Sequence, residues 1–423
     1  AIKLANTAGN GCIRLDGLIT VSTPYTFTAP IHLRGNPGSK LTITAKIGCP
    51  FTWTGTAGGT YSLNTTGPFV EKIKTDAPLK RGDWVFLYSD DVIPIDPHSK
   101  GGFQHPGELH QINHAGLPGT DVFLNDITID HFNINPSLEI MRPISNIVVA
   151  DLVADYAGPI PSDYSKLLCF YRCHNVLVEN VKSDRESMGG VLIKESSNVI
   201  IRGCHIDGTK AADIVYGFVV GGTNGVLIQD CIISGTRHAL TTTASKSRGG
   251  ERWGTPLNVK MTNCVVNVPI KAETGATRVG LDTHAEGYGL IYENCVVNIG
   301  TSTSNIGGQS RSRNTTFKGC TLRGGPLSKG LRSYGPDMLI DSCHFYNMWY
   351  GAGSHMSNTL GGSSMTVTNS VFRNIDSSAI WLEQGNNHVV KGCTFVNCGR
   401  KMSRGFTDPF VQLGLGTGHS IQI

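Results

Sequence analysis

The sequence predicts an all-β chain folded as a single-stranded, right-handed parallel β-helix of about 11 or more coils. Three observations carry this prediction. A short apolar-alternating segment that ends in a small or apolar residue recurs along most of the 423 residues. No stretch combines helical periodicity with caps, which disfavours βαβ folds and horseshoes. Gly is abundant, at 52 residues, and Asn, Thr and Ser fill the gaps between short Val- and Ile-rich strands.

The repeat is clearest at residues 226–231, an apolar-alternating strand that closes on Asp230 and Cys231. Along the chain, this closing position is held by Phe132, Leu152, Val181, Cys204, Cys231, Cys264, Cys295, Cys320, Cys343, Ser370 and Cys393. The shortest interval is 152 − 132 = 20 residues and the longest is 264 − 231 = 33, so the coils vary through insertions. Coils of about 23 residues with three short strands each fit a parallel β-helix in which each coil pairs with the next.

Seven of the twelve cysteines occupy the closing position, where Ser, Val, Leu and Phe also occur. This exchange predicts a buried column of free thiols, and hence synthesis in a reducing compartment. Cys169 and Cys173 have no second pair near them, so neither zinc nor another metal is expected, and no cofactor is predicted. The residue before the closing position should lie at a turn in Asn180, Asp230, Asn263, Asn294 and Asn369.

Four segments are predicted. Residues 1–70 are interpreted as an N-terminal cap with the first coils, which shields an open sheet edge. Residues 71–120 are an insertion with its own small strands, residues 121–398 are the regular β-helix, and residues 399–423 are an irregular end without a cap, after which more protein or a partner chain is expected. The insertion histidines match no metal-ligand spacing and are interpreted as solvated loop residues: His98, His105, His110 and His114.

Composition makes two classes of partner unnecessary. The formal net charge is only +4, so nucleic acid is not expected as a partner. No window approaches the ~20 consecutive apolar residues of a membrane span, so membrane insertion is not expected either. No secretory signal is visible, although the chain starts at Ala1 without Met.

The coil pattern, the opening Pro30-Ile-His-Leu-Arg-Gly35 and the Gly82-Asp-Trp84 insertion resemble pectate-lyase-like β-helix proteins. Within that group the chain is most similar to phage tailspikes and capsule depolymerases. The resemblance implies a homotrimer that cuts bacterial surface polysaccharide, located on a virion tail or outside the cell. The Arg-x-Pro-x-x-Arg segment of pectate lyases and the Asn-Thr-Asp and Gly-His-Gly segments of polygalacturonases do not occur. No catalytic residue is therefore carried over from the family.

The repeat itself predicts a site. Strands that pair in register stack equivalent positions into columns, and period-2 alternation then turns polar residues outward. About 9 to 11 residues before each closing position, the outward pairs are Thr241 and Thr243, Asp282 and His284, Gln309 and Arg311, Arg332 and Tyr334, and Trp381 and Glu383. Arginine, tyrosine and tryptophan are typical of ligand surfaces more than of solvated filler. This stripe, whose rungs stand ~4.8 Å apart, is the predicted glycan groove.

A long basic loop, residues 244–255, lies beside the stripe and is expected to fold over the groove. We assign Glu251, Arg252 and Trp253 of this loop to substrate binding. Arg237, just before the loop's strand, joins them, and His238 is added to the catalytic candidates. The remaining assignments place Arg332, Gln309, Trp381 and Glu383 in binding and His284, Arg311, Tyr334 and Asp282 in catalysis.

Two chemistries are open. A lyase acting on a uronic acid must neutralise the carboxylate and place a base at the neighbouring proton; His284, Arg311, Arg332 and Tyr334 supply these parts. A glycoside hydrolase needs two carboxylates beside the bond, for which Asp282, Glu286 and Glu251 are candidates. Basic and aromatic residues outnumber carboxylates, which favours the lyase. A non-catalytic glycan-binding or structural fibre is the alternative from a different class.

Overall fold

The computed structural model describes residues 9–44, 49–93, 105–157, 166–184, 189–208, 216–242, 254–269, 277–283, 287–303, 305–354, 364–399, 411–415 and 420–422. Within these ranges every regular element is a β-strand, and no helix is long and apolar enough to cross a membrane. Three long parallel sheets and one smaller antiparallel sheet make up the fold. The predicted fold class, a right-handed parallel β-helix, is confirmed.

Two coils precede the insertion. Their strands are β1 (Gly11–Leu15), β2 (Leu18–Val21), β3 (Tyr25–Phe27), β4 (Ile31–Gly35), β5 (Lys40–Ile43) and β6 (Phe51–Thr54). The insertion follows as β7 (Thr56–Ser62), β8 (Lys72–Lys74), β9 (Trp84–Tyr88), β10 (Gly107–Ala115), β11 (Asp121–Leu124) and β12 (Ser137–Arg142).

The remaining coils run to the end of the described chain. Their strands are β13 (Ile144–Ala150), β14 (Val153–Tyr156), β15 (Lys166–Tyr171), β16 (Cys173–Glu179), β17 (Lys182–Asp184), β18 (Gly189–Lys194), β19 (Ser197–Arg202), β20 (His205–Asp207), β21 (Tyr216–Gly221), β22 (Asn224–Gln229), β23 (Ile232–Ser234), β24 (His238–Thr242), β25 (Leu257–Thr262), β26 (Val265–Val268), β27 (Arg278–Asp282), β28 (Ile291–Glu293), β29 (Val296–Ile299), β30 (Asn305–Ser310), β31 (Thr316–Lys318), β32 (Thr321–Arg323), β33 (Lys329–Ser333), β34 (Met338–Asp341), β35 (His344–Met348), β36 (Tyr350–Ser354), β37 (Met365–Thr368), β38 (Val371–Ile375), β39 (Ile380–Gln384), β40 (Val389–Lys391), β41 (Thr394–Val396), β42 (Val411–Leu415) and β43 (Ser420–Gln422).

Each coil gives one strand to each parallel sheet. Sheet A holds β1, β4, β13 and then every third strand to β43. Sheet B runs in the same way from β2, β5 and β14 to β41, and sheet C from β3, β6 and β15 to β42. The three inward faces enclose one apolar core, in which Phe345 and Phe372 stack at 4.6 Å between ring centroids. This stacking follows from parallel register, which places equal residues of successive coils above one another.

The closing position lies in this core from Leu152 to Cys393, and its cysteines are buried and free. The predicted thiol column is therefore confirmed. The preceding asparagine or aspartate has a left-handed backbone, with φ of 50 to 54° in Asn180, Asp230, Asn263, Asn294 and Asn369. Asn and Asp tolerate this conformation best among non-glycine residues, which explains their place at the turn after these sheet A strands.

One proposed repeat is wrong. Phe132 was interpreted as the first closing residue, but it packs in the separate core of the insertion with Val85, Leu87 and Leu138. A backbone bridge joins Phe132 to Thr66 in antiparallel fashion. Residues 127–131 form no strand. An apolar alternation does not show which element covers the buried residues, so it could not distinguish this segment of the insertion from a coil strand.

The insertion forms an antiparallel sheet in the order β7-β12-β9-β10-β11-β8, so its strands extend from Thr56 to Arg142 rather than over residues 71–120. Trp84 lies 5.2 Å from the ring of His174, and Asn224 donates to the Leu109 carbonyl at 2.9 Å. These contacts dock the insertion against sheet A, near the turns that lead out of sheet C.

The interpretation of the insertion histidines as solvated residues is wrong for His110, which is fully buried. Its Nδ1 lies 2.6 Å from Asp126 and its Nε2 2.9 Å from Glu108. Burial alone lowers the pKa of His110, but the two carboxylates outweigh it and raise that pKa to about 9. His105 approaches the Asp91 carbonyl, His114 is exposed, and His98 lies outside the described residues. No group of three or more metal-ligating side chains occurs among the residues described.

A disulfide between Cys49 and Cys169 was not foreseen, since the sequence reading treated Cys169 only as a partner of Cys173. The two cysteines are 120 residues apart and lie on the outer side of sheet C, with their Cα atoms 6.3 Å apart. The insertion separates their coils in sequence, whereas β6 and β15 pair directly in space. Cys173 is buried and free.

Candidate functional site

The outward face of sheet C aligns the polar residues that sequence periodicity turned outward. Adjacent strands bring into register Asp282, Gln309, Arg332, Gly353 and Trp381, in that order. We call this set the first outer column. The alternating inward residues Leu281, Leu331 and Ile380 are fully buried. Strand spacing of ~4.8 Å therefore makes the first outer column a continuous ladder along the sheet.

A second outer column, missed by the sequence reasoning, runs beside the first. Its polar members are Lys166, Tyr216, His238, Lys329 and Tyr350, and Gly189, Val279 and Ile306 occupy the other rungs. A signal for it was present, because Lys166 and Tyr216 each lie 15 residues before a closing residue (181 − 166 and 231 − 216). The periodic reasoning started only at Leu240, so it did not reach the beginning of these strands.

His238 and Asp282 meet where the two columns adjoin. The His238 Nδ1 lies 3.2 Å from the Val279 carbonyl, which accepts its proton, and Nε2 lies 3.7 Å from an Asp282 oxygen. The other Asp282 oxygen accepts from Gln309 Nε2 at 3.2 Å. Both His238 and Asp282 are buried. The carboxylate thus orients the amide and the imidazole, two groups that the sequence placed on separate coils.

Tyr216 stacks on His238, with ring centroids 5.1 Å apart and planes 7° apart. On its other side, the Lys166 ammonium lies 5.5 Å from the ring centroid. Burial lowers the pKa of Lys166 to about 7. Arg237 reaches the Tyr216 hydroxyl at 3.5 Å and the Thr277 carbonyl at 3.4 Å. Arg237 therefore belongs to this end of the face.

Arg332 organises a second cluster two coils further on. Its Nη1 donates to the Tyr334 hydroxyl at 3.1 Å, and its Nε donates to the Tyr350 hydroxyl. The Arg311 guanidinium lies 5.9 Å from the centre of the Tyr334 ring. Two guanidinium groups and two phenol hydroxyls thus converge on the outer face, with Arg332 in the first outer column and Tyr350 in the second.

Trp381 is half-buried and makes an edge contact with Tyr350 at 6.3 Å. Glu383 lies in β39, two residues after Trp381. The other predicted site residues lie outside the described residues: His284, Glu286, Glu251, Arg252 and Trp253, as does Thr243.

The insertion borders this face. The Thr255 amide donates to the Gly107 carbonyl at 2.6 Å, and the Thr255 hydroxyl donates to Asp130 at 3.0 Å. Arg313, two residues after Arg311, donates to the other Asp130 oxygen at 2.7 Å. The insertion is therefore a wall beside sheet C, and these hydrogen bonds tie it to the turns that connect sheet C to sheet A.

The arrangement can perform two tasks. Arg332 and Arg311 supply fixed positive charge for an anionic group, because a guanidinium remains charged at every physiological pH. Tyr334, Tyr350 and His238 supply protons or accept them within the reach of neighbouring rungs. Asp282 is the one described carboxylate of the first outer column, and it is fully buried against Gln309.

Comparison with known proteins gives one family. Residues 160–268 and 258–408 match the family described as the right handed beta helix region. These two stretches together span more than half of the chain. No curated protein sequence matches it.

Among solved structures, the tailspike protein gp49 from Pseudomonas phage LKA1 is similar at a TM-score of 0.68 and 15% identity, over 99% of this chain and 70% of that chain. The tailspike gp61 of Pseudomonas phage phi297 has a TM-score of 0.62 at 14% identity, over 93% and 66%. The gp54 tailspike of Acinetobacter baumannii bacteriophage AP22, solved in complex with A. baumannii capsular saccharide, has a TM-score of 0.62 at 14% identity, over 94% and 72%. At these identities the likeness concerns the fold alone.

Proposed function

Because the chain belongs to the right-handed β-helix family, we propose that it binds and cleaves a bacterial surface or other acidic polysaccharide along the outer face of sheet C, by β-elimination at a uronic acid. The similarity to tailspikes, one of them solved with a capsular saccharide, supports the substrate class. Parallel coils offer a ladder of side chains to a linear polymer, with about one sugar unit per rung of ~4.8 Å.

The observation that carries the proposal is the convergence of Arg332, Arg311 and Tyr334. Arg332 holds the Tyr334 hydroxyl at 3.1 Å, and Arg311 lies over the Tyr334 ring. A uronate carboxylate seated against these guanidinium groups loses much of its negative charge. The proton on the carbon next to that carboxylate then becomes more acidic, which is the main barrier of this elimination.

In the proposed reaction a base removes that proton, and its electron pair forms a double bond between C4 and C5 of the uronate. The bond from C4 to the glycosidic oxygen breaks, and the departing oxygen takes up a proton. His284 is the proposed base, and Tyr334, whose oxygen accepts from Arg332, keeps its own proton for the leaving oxygen. Asp282 and Gln309 would position the sugar unit on the neighbouring rung, and His238 lies next to Asp282.

A glycoside hydrolase is the second candidate. It needs two carboxylates that both reach the substrate, ~5 to 9.5 Å apart. Asp282 is fully buried and bonded to Gln309, which speaks against its use as one of them. Glu286 and Glu251 remain candidate carboxylates for a glycoside hydrolase. A non-catalytic fibre would have the same coils but would not cleave polysaccharide.

The test is a panel of bacterial and plant polysaccharides, assayed for viscosity, new reducing ends and ultraviolet absorbance. Elimination produces one conjugated double bond for each new reducing end, so the two signals should rise together. Reducing ends without absorbance would identify a hydrolase. A substrate that binds without either signal would identify a fibre.

We further propose that the protein is a parallel homotrimer on a virion tail, as the likeness to tailspikes suggests. An aliphatic column on the outside of sheet A supports an assembly face, since Leu177, Ile200 and Leu227 align there and are each only half-buried. Light scattering at micromolar concentration should give three times the mass of one chain, 45.3 kDa. The mass of a monomer would contradict this assembly.

A further inference from the structure

We propose that a second acidic-saccharide site lies on the outer face of sheet B, formed by Arg323, Tyr346 and Arg373. It is separate from the sheet C face and does not rest on cleavage there. The three residues come from β32, β35 and β38 and pair directly in register. They line a groove of about 470 Å³ together with His344, Thr321 and two turn asparagines.

The groove carries unpaired positive charge. Arg323 and Arg373 are exposed, and in the described part of the chain neither guanidinium has a hydrogen-bond or ion-pair partner. The groove lining includes no carboxylate. Two rungs separate the arginines, about 10 Å by strand spacing. Each guanidinium offers a planar set of donors that fits a carboxylate in a bidentate manner.

An aromatic residue, Tyr346, lies between the two arginines. Tyr346 is half-buried, and its hydroxyl lies 3.1 Å from His344 Nδ1. The two rings stack at 6.1 Å and 18°. His344 leaves the same strand two residues earlier, so it fixes the tyrosine at the floor of the groove. A fixed aromatic face is a platform for the apolar C–H side of a sugar ring, and it loses little entropy on binding.

The same column contains only uncharged polar residues one, two and three coils before Arg323. Asn298 donates to Asn267 at 2.8 Å, and Asn267 donates to Ser234 at 3.0 Å. These outward residues satisfy each other, as is common on a solvated sheet face. From Arg323 onward, the hydrogen-bonded amides of this column are replaced by two arginines, Arg323 and Arg373, on either side of the Tyr346 ring. This change marks the groove as a surface for an external anion.

The occupant that fits is a short stretch of acidic polysaccharide. One sugar packs on Tyr346, while carboxylates of this or the adjoining units meet Arg323 and Arg373. Such a site would hold a long polymer on a second face of the solenoid while sheet C engages another segment. Two linked sites raise the effective local concentration of polymer without new contacts at either.

The test uses isothermal titration calorimetry with de-esterified oligogalacturonate as the probe and a neutral malto-oligosaccharide as its control. All proteins carry Arg332→Ala, which removes from sheet C the guanidinium that holds both tyrosine hydroxyls. The variant is Arg323→Gln/Arg373→Gln. Its matched control is Arg14→Gln/Arg34→Gln, an exposed arginine pair in register on sheet A with the same change in net charge.

We expect Arg323→Gln/Arg373→Gln, the sheet B variant, to weaken oligogalacturonate binding at least ~10-fold. Arg14→Gln/Arg34→Gln, the sheet A control, should leave binding unchanged. Tyr346→Ala should weaken binding as well. Equal losses in both pairs, no loss in the sheet B pair, or no binding by the Arg332→Ala parent would each overturn the proposal. A change in mass by light scattering without a loss of binding would also overturn it, because the face would then be a contact between chains. None of these outcomes depends on whether sheet C cleaves.

Discussion

His110 in the insertion and Lys166 on the outer face of sheet C are both buried cationic groups, but their surroundings act in opposite directions. His110 lies between Asp126 and Glu108, and its pKa rises to about 9. Glu108 in turn accepts from the Asp130 amide at 2.6 Å. Burial instead lowers the pKa of Lys166 to about 7. Protonation of His110 therefore stabilises the fold, whereas protonation of Lys166 opposes it.

The comparison distinguishes a buried charge that stabilises the fold, His110, from a buried charge that destabilises it, Lys166. The His110 cluster ties the insertion to the coils, since Asp126 also accepts from Asn224 of β22 at 2.5 Å. Lys166 stands next to Tyr216 and His238, on the face proposed to act on polysaccharide. A buried group that costs stability and borders a candidate site is expected to serve function.

The largest effect is expected for the proposed catalytic base. His284→Ala should lower turnover at least ~100- to 10,000-fold, because the removal of a general acid or base has that cost. His114→Ala, on the exposed side of β10, is the matched control. Initial rates on the polysaccharide found in the panel check this prediction. Near wild-type turnover would remove His284 and direct attention to Glu251, Asp282 and Glu286.

The next effect is structural. His110→Leu leaves the buried carboxylate of Glu108 and the partly buried carboxylate of Asp126 without their shared partner, and it should lower the free energy of unfolding by ~3–5 kcal/mol. The surface control His114→Leu should change it by less than ~0.5 kcal/mol. Chemical denaturation measures both. Turnover per folded molecule should remain normal in His110→Leu. A specific loss of turnover would show that the His110 cluster is not purely structural and contributes to the sheet C site.

The same cluster predicts a pH dependence. The folded pKa of His110, about 9, exceeds its ordinary value of 6.5. Its contribution to stability is therefore complete below about pH 6.5 and disappears as pH rises through about 9. The difference in unfolding free energy between wild type and His110→Leu should shrink by about 3 kcal/mol over this range. A constant difference would contradict the ion pairing of His110.

Lys166→Met should act in the opposite sense. The folded pKa of Lys166, about 7, lies below its ordinary 10.5, so the lysine destabilises the fold fully below pH 7 and progressively less up to about pH 10.5. At pH 7 the variant should be more stable, by up to about 4 kcal/mol, and yet bind or cleave polysaccharide less well. A more stable variant with full activity would show that Lys166 has no role in the site.

The smallest effect is expected for Arg237→Ala. Arg237 reaches Tyr216 and the Thr277 carbonyl at the edge of the face, away from the Arg332 cluster. Its loss should raise KM about 10-fold and leave kcat nearly unchanged. A fall in kcat with unchanged KM would place Arg237 in the reaction itself.

Much of the fold was accessible from the sequence, because a column of inward residues specifies register. The cysteine column located the coils, and the alternation around Leu281 and Leu331 identified Asp282 and Arg332 as outward. The sequence could not show which outward residues meet. Cys49 and Cys169 are 120 residues apart, and Asn224 reaches Asp126 across 98 residues. Such pairs depend on how the insertion packs against the coils. The periodic pattern of apolar residues within one strand contains no information about that packing.

The most direct test of the central claim compares the formation of unsaturated uronate ends by wild type, Arg332→Ala, Arg332→Lys and the exposed control Arg34→Ala. The account predicts that wild type and Arg34→Ala form one conjugated double bond for each new reducing end. Arg332→Ala should lose at least ~100-fold in rate while remaining folded, since a fixed donor to the developing charge is removed. Arg332→Lys should recover only part of that rate, because lysine lacks the planar fork that reaches Tyr334 and Tyr350 together. Cleavage without unsaturated ends, or an unchanged rate in Arg332→Ala, would contradict the account.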